Sequence, residues 1–168
     1  MSDPGSDMPA GALICLFGAG GLGRVVAAQM ARFLGLGCVF ADTNAQSIGG
    51  SVAGWPVVAA RLAEVIPHPL LITIGSNDRR ATLQAEAQRL GADMATVVME
   101  PSYFLSDQPA GAGSQIMASA LVNAGARLGQ GVIVNSRAVV EHDCTVGDFC
   151  HLAPGSVIGG GVRLGARV

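Results

Sequence analysis

Two histidines in the last third of this 168-residue chain stand where a proton could be taken up and handed on. His142 lies in Glu141-His142-Asp143, between two carboxylates in a stretch otherwise nearly free of charge. A carboxylate beside an imidazole orients the ring and raises its basicity, which suits a general base. The plainer reading of a lone histidine is a polar residue on a solvent-facing corner, and these neighbours weaken it. His151 follows nine residues later, after Cys150. Near the other end, Gly18-Ala19-Gly20-Gly21-Leu22-Gly23-Arg24 can bring backbone N–H groups close to a phosphate, and Asp42 stands where a ribose hydroxyl would lie. Cys15, Cys38, Cys144 and Cys150 have spacings that suggest neither a zinc site nor a disulfide frame, so no metal is expected. His68, between two prolines, reads as a surface loop.

The elements that must position these residues show as a strict period. From Ile116 an aliphatic residue recurs every sixth place: Val122, Leu128, Val134, Val140, Val146, Leu152, Ile158 and Leu164. Two places before it the residue is usually small, as at Ala120, Ala126, Ala138, Cys144, Cys150 and Ser156. After it comes Gly or Asn at 129, 135, 147, 159 and 165, residues that tolerate the positive φ of a corner. A period of six is neither helix nor ordinary strand. It predicts a solenoid of short parallel strands over 113–168, three blocks to a triangular coil, with the aliphatics stacked inside. Cys144 and Cys150 then become buried packing residues. His142 and His151 are half an eighteen-residue coil apart and point in different directions. They meet at one site only if neighbouring prisms pack side by side, which predicts an oligomer, most naturally threefold.

The front of the chain alternates strand and helix. Ala12–Phe17 and Cys38–Ala41 read as buried parallel strands around the glycine turn and a helix. A short helix is expected within 56–66, a third strand over 70–74, and a helix closing at Gly91 capped by Asn77 or Asp78. Ala95–Met99 reads as a fourth strand. Arg24 and Arg79–Arg80 stand at the ligand end of the sheet, and a solvated helix start and a phosphate contact are equal readings for them. Ser76–Asn77 is likewise open between cap and ligand contact. The expected fold is α/β plus β-solenoid: a lead of residues 1–11 expected to be disordered, a small Rossmann-like parallel sheet over 12–102, a linker over 103–112, and the solenoid over 113–168. There is no room for a second dinucleotide half, so a mononucleotide or nucleotide-sugar suits the front better than NAD. The chain has no Lys, ten Arg and a net charge of −2 without a basic cluster, which argues against nucleic acid. Its apolar runs are too short for a bilayer and its start is wrong for a secretory signal, so a cytoplasmic protein is expected.

The residues FGAGGLGRVV, FADTN, TIGSND and NSRAVVEHDCTVGDFCHLAPGSVIGGGVRLG together resemble the sugar O- and N-acyltransferases of the NeuD/PglD type, in the left-handed β-helix superfamily. The likeness runs from about Ala12 onward, and left-handedness is taken from it. It implies a homotrimer that moves an acetyl group from acetyl-CoA to an amine or hydroxyl of a sugar, often nucleotide-linked. His142 matches the family's general base and Asp143 the acid beside it. His151 matches a contact on the acetyl-CoA side, and Gly160 a backbone donor near the thioester carbonyl. Gly20, Gly21 and Leu22 match the loop over the nucleotide phosphates, Asp42 and Thr43 the contacts to base and ribose, and Gly75 a further substrate contact. Leu22 stands where the family often has a polar residue, and Thr43 where it has a second acid. The sequence ends at Arg167–Val168, partway through a coil, where relatives usually continue for two or more coils that hold much of the CoA pocket, so the β-helix over 113–168 is expected to be an incomplete one. A non-catalytic nucleotide-sugar-binding protein is the alternative, and an NAD-dependent oxidoreductase a weaker one.

Overall fold

The structure, a computed structural model, describes residues 13–66 and 68–168; the expected lead at 1–11 lies outside them. The first part of the chain folds on a five-stranded sheet. Its strands are β1 (Ile14–Phe17), β2 (Cys38–Ala41), β3 (Ser51–Val52), β4 (Trp55–Ala59) and β5 (Leu70–Ile72), in the order β3-β4-β2-β1-β5. All pairings are parallel except β3 with β4. The runs ICLF and CVFA are buried along their whole length because both faces of the sheet are covered. Helix α1 (Gly21–Gln29), prolonged by a π-turn over Met30–Leu34, packs Val26, Ala27 and Met30 on one face. Helix α2 (Asn77–Arg89) packs Ala87 on the other, with Leu62 and Val65.

Two expectations fail in this part. The segment around Val57 and Val58 is strand β4 and not helix, and only Leu62–Glu64 makes a 3₁₀ turn. Burial shows why: Val57 and Ala59 face in and Val58 faces out, a period of two carried by β-branched residues. The cap of α2 is Ser76, whose hydroxyl accepts from the Arg79 N–H. Asn77 sits inside the helix, and its amide nitrogen donates to the carbonyls of Arg167 and Val168.

The second part is a triangular prism of two-residue strands. One face holds β6 (Val97–Val98), β8 (Gln115–Ile116), β11 (Ile133–Val134) and β14 (His151–Leu152). The second holds β7 (Tyr103–Phe104), β9 (Leu121–Val122), β12 (Val139–Val140) and β15 (Val157–Ile158). The third holds β10 (Arg127–Leu128), β13 (Thr145–Val146) and β16 (Arg163–Leu164). Each pairing is parallel and links residues eighteen apart, such as Val134 to Ile116 and to Leu152. The aliphatics form one internal column with Ala120, Ala126, Ala138, Cys144 and Cys150 at its corners.

The prism starts earlier than the repeats suggested. Val97–Val98, read as the last strand of the front sheet, pairs with Gln115–Ile116, and Tyr103–Phe104, read as linker, pairs with Leu121–Val122. The corner glycines also act differently. Positive φ falls two places later than expected, at every sixth residue from Gly113 to Arg167, and Ser119, Arg137, Asp143 and Phe149 occupy that slot as well as glycines. Gly129 and Gly147 serve close stacking instead: a Cβ would stand 2.8 Å from the Asp148 nitrogen and 2.7 Å from the Ala166 nitrogen.

The two parts meet along the first face. Gln115 Nε2 donates to the Ile72 carbonyl (2.9 Å), and the Ala118 N–H donates to Gln29 Oε1 (2.9 Å). Buried Arg80 reaches the carbonyls of Gly131 and Phe149 at the edge between the third face and the first. Since the column supplies most of the prism's burial, Val134→Ala should cost about 2 kcal/mol in urea unfolding. The exposed Val58→Ala should stay within about 0.5 kcal/mol.

Candidate active site

His142 and Asp143 lie on the edge between the second and third faces, and their own stack of coils shapes them. Asp143 takes positive φ (60°), a conformation that Asp adopts more readily than most residues, and accepts a hydrogen bond from the His142 ring: Nδ1 to Oδ2 is 2.9 Å. That bond, the nearby Asp143 charge and, more weakly, Glu141 hold the imidazole pKa above its ordinary value, against a small opposing effect of burial. With the Nδ1 proton committed to Asp143, Nε2 carries the lone pair. The ring lies over Gly160 in the next coil, where a Cβ would stand 2.5 Å from Nε2. Asp143 lies over Gly125 in the coil before, where a Cβ would stand 2.5 Å from Oδ1. So a glycine on each side, eighteen residues from the side chain it faces, leaves room for the pair. Among the described residues no protein acceptor takes the Gly160 N–H. A free base and a free donor therefore sit side by side, the two groups acyl transfer asks for.

A second concavity, of about 300 Å³, lies in the front part. Gly20, Gly21, Leu22, Asp42, Thr43 and Gly75 all line it, together with Arg79. Residues from three strand ends thus converge at the carboxyl edge of a parallel sheet, where such folds keep their ligands. Gly18 and Gly23 are required by packing, since a Cβ on Gly18 would stand 2.8 Å from the Thr73 carbonyl oxygen and one on Gly23 would strike the Gly18 carbonyl. Gly20, Gly21 and Gly75 have nothing within 4 Å of a Cβ, so their smallness serves the open space. Asp42 ties the turn down: its carboxylate accepts from the N–H groups of Ala19 (2.7 Å) and Asn44 (2.9 Å).

His151 does not line this concavity but stands behind its Gly75 edge, away from His142. It starts β14 on the first face, half-buried beneath the front part. Its Nε2 meets the Asn135 amide nitrogen at 2.9 Å, and its ring also contacts the Gly75 backbone. Burial, then the Arg80 charge, push its pKa below the ordinary value, with the Gly75 contact opposing them. The front part covers the first face and both of its edges, through Arg80 and Gln84 at one and Gln29 at the other. The edge that bears His142 is the remaining one, across the prism.

Of the three arginines left open by the sequence, Arg24 is exposed and does not line the cavity, Arg79 is exposed on the cavity rim, and Arg80 is fully buried. Nothing in two adjacent arginines tells which one points inward. Gln115 had a readable signal: it is a polar side chain at the outward slot of a face, and it binds the front sheet. Cys15 and Cys38 are buried, their thiols pushed up to about 12, chiefly by burial. No group of three or more metal-ligating side chains occurs among the described residues, and none of their helices is long and apolar enough to cross a membrane.

Residues 125–160 match the family described as bacterial transferase hexapeptide (six repeats). Over the whole fold the chain is similar to PerB from Caulobacter crescentus, solved in complex with CoA and GDP-perosamine: 31% identity over 95% of this chain and 76% of that one, TM-score 0.81. It is similar to the acetyltransferase domain of PglB from Neisseria gonorrhoeae, solved with acetyl coenzyme A: 26% identity, 93% and 86% covered, TM-score 0.73. WeeI from Acinetobacter baumannii, at 22% identity, with 92% and 76% covered and TM-score 0.76, shares the fold.

The His142 geometry makes a direct prediction. In an NMR titration, Asp143→Asn should bring the His142 pKa down toward the ordinary histidine value, because the carboxylate charge is lost and an amide oxygen offers at most a weaker, neutral hydrogen bond.

Proposed function

The chain belongs to the hexapeptide-repeat sugar acyltransferases of the left-handed β-helix superfamily, and from there we propose that it is an acetyl-CoA-dependent acetyltransferase acting on an amino or hydroxyl group of a nucleotide-sugar. The observation that carries this reading is the His142 environment: Nδ1 tied to Asp143, and a free Nε2 above a free Gly160 N–H. In the proposed reaction His142 Nε2 takes the proton from the acceptor nitrogen or oxygen as it attacks the thioester carbonyl. The Gly160 N–H stabilises the oxygen that becomes negative. Collapse of the tetrahedral intermediate expels the CoA thiolate, which is protonated from the His142 imidazolium. The acetyl group moves directly, with no covalent enzyme intermediate.

The front part serves as a Rossmann-like nucleotide-sugar domain. Gly20, Gly21 and Leu22 take the phosphates, Asp42 and Thr43 the base and ribose, and Gly75 is a further substrate contact. His151 lies on the acetyl-CoA side and, through Gly75, borders the sugar cavity as well. The complexes of PerB with CoA and GDP-perosamine, and of the PglB domain with acetyl coenzyme A, support both co-substrates.

The cavity and His142 lie on opposite sides of one prism, so we place the working site between copies of the chain, in a homotrimer. The second face supports this. It presents an outward column of Tyr103, Leu121, Val139 and Val157, and Tyr103 and Val157 are 64% and 67% exposed. Apolar residues exposed in a row are what a subunit contact would cover.

His142→Ala should lower kcat by about 10²–10⁴-fold, the range of general-base catalysis, and leave the oligomer intact in sedimentation. Near-normal turnover in that variant would remove the mechanism. The base must be neutral, so the rate should fall as pH drops through the raised His142 pKa. In Asp143→Asn that limb of the pH profile should move to lower pH.

A further inference from the structure

The proposed chemistry leaves one buried charge unused. Arg80 is fully buried, and all its partners are neutral. Nε donates to the Gly131 carbonyl (2.8 Å) and Nη1 to those of Ile74 (2.9 Å) and Gly75 (3.1 Å). Nη2 donates to Asn77 Oδ1 (2.8 Å) and to the carbonyls of Phe149 (2.7 Å) and Cys150 (3.3 Å). Every N–H of the guanidinium is used, yet among the described residues no carboxylate pairs with it. Burial lowers its pKa to about 10, which leaves it charged at neutral pH. Neutral acceptors satisfy its donors but do not cancel its charge, and an uncompensated buried charge is costly.

The side of Arg80 that faces the cavity explains the arrangement. Ile74 and Gly75 both line the cavity. In a trans peptide the carbonyl and the following N–H point opposite ways. By holding the Ile74 and Gly75 carbonyls from behind, Arg80 turns the N–H groups of Gly75 and Ser76 away from itself. Neither N–H donates to a protein acceptor among the described residues. Nothing lies within 4 Å of a Cβ built on Gly75, so that strand end borders open space. Two unused donors, with a positive charge one peptide layer behind them, make a seat for an anion.

We infer that Arg80 is a positioning residue for anion recognition: it aims the Gly75 and Ser76 amides into the cavity and supplies the charge behind them, and the anion is the diphosphate of the nucleotide-sugar. This rests on the nucleotide-sugar reading of the cavity. The competing source of charge is Arg79 on the rim.

Calorimetry on the full chain separates the two, with uridine and guanosine diphosphates against the parent nucleosides as probes. Arg80→Gln should weaken the diphosphate by about tenfold or more and the nucleoside by less than about threefold, since a charge a few ångströms away acts on the anion alone. Arg79→Gln, an exposed change that will fold, should still prefer the diphosphate by about tenfold. The inference fails if Arg79→Gln abolishes that preference, or if Arg80→Gln weakens both probes alike, as a merely structural role would. If Arg80→Gln does not fold, Arg79→Gln decides. A wild-type chain that binds neither diphosphate sinks the reading of the cavity along with this inference; binding that is indifferent to Arg80 sinks this inference alone.

Discussion

Within its own prism of eighteen-residue coils, an outward corner residue stacks on what stands one coil above or below it on the same edge. That constraint follows from the parallel pairing of Ile116, Val134 and Leu152, and of their counterparts on the other two faces. It gives His142 its room, because Gly160 lies in the coil above, and gives Asp143 its room, because Gly125 lies in the coil below. It also forbids His142 from reaching the first face of its own prism. The proposed base is thus held by its own stack of coils, away from the cavity.

The front part obeys a different rule and faces a different way. Its parallel sheet gathers the glycine turn, the Asp42 end of β2 and the Gly75 segment after β5 around one cavity. Its attachment to the first face is apolar, with Val97, Met99, Met117 and Ala118 in one core with Val26, Met30 and Leu71, and polar, through Gln29, Gln84, Gln115 and Arg80. The polar bonds go largely to backbone groups, so they fix how the cavity sits on the prism, and their front-part partners come from three segments: Gln29 on α1, the Ile72 carbonyl on β5, and Arg80 and Gln84 on α2. The proposed catalyst is then two half-sites, each rigid, on opposite sides of a rigid body. In the proposed homotrimer a neighbouring chain brings the two halves together.

Much of this was legible because periodicity is a property of the sequence itself. Nine aliphatics at a spacing of six leave few alternatives to a triangular solenoid. Counting back in sixes from Ile116 reaches Ala110, Phe104 and Val98, the signal that would have placed β6 and β7 in the prism. The segment at 55–59 misled because small and aliphatic residues suit either period over so short a run. The corner glycines misled because glycine serves two needs, positive φ and close stacking, and only coordinates separate them. The glycine-turn residues, Asp42, Thr43 and Gly75 were nameable through the family likeness, and the structure gathers them round one cavity. Arg80 was not nameable, since its burial depends on the meeting of two parts that no local pattern encodes.

The measurement that bears most directly on the shared site is complementation between two inactive chains. One carries His142→Ala. The other carries Gly21→Phe, which fills the cavity at a position with nothing within 4 Å of its Cβ. Each alone should be inactive. Co-assembled at equal amounts, they should recover about one quarter of wild-type activity, because a random neighbour supplies an intact base to an intact cavity in that fraction of sites. A mixture as inactive as its components would contradict the account.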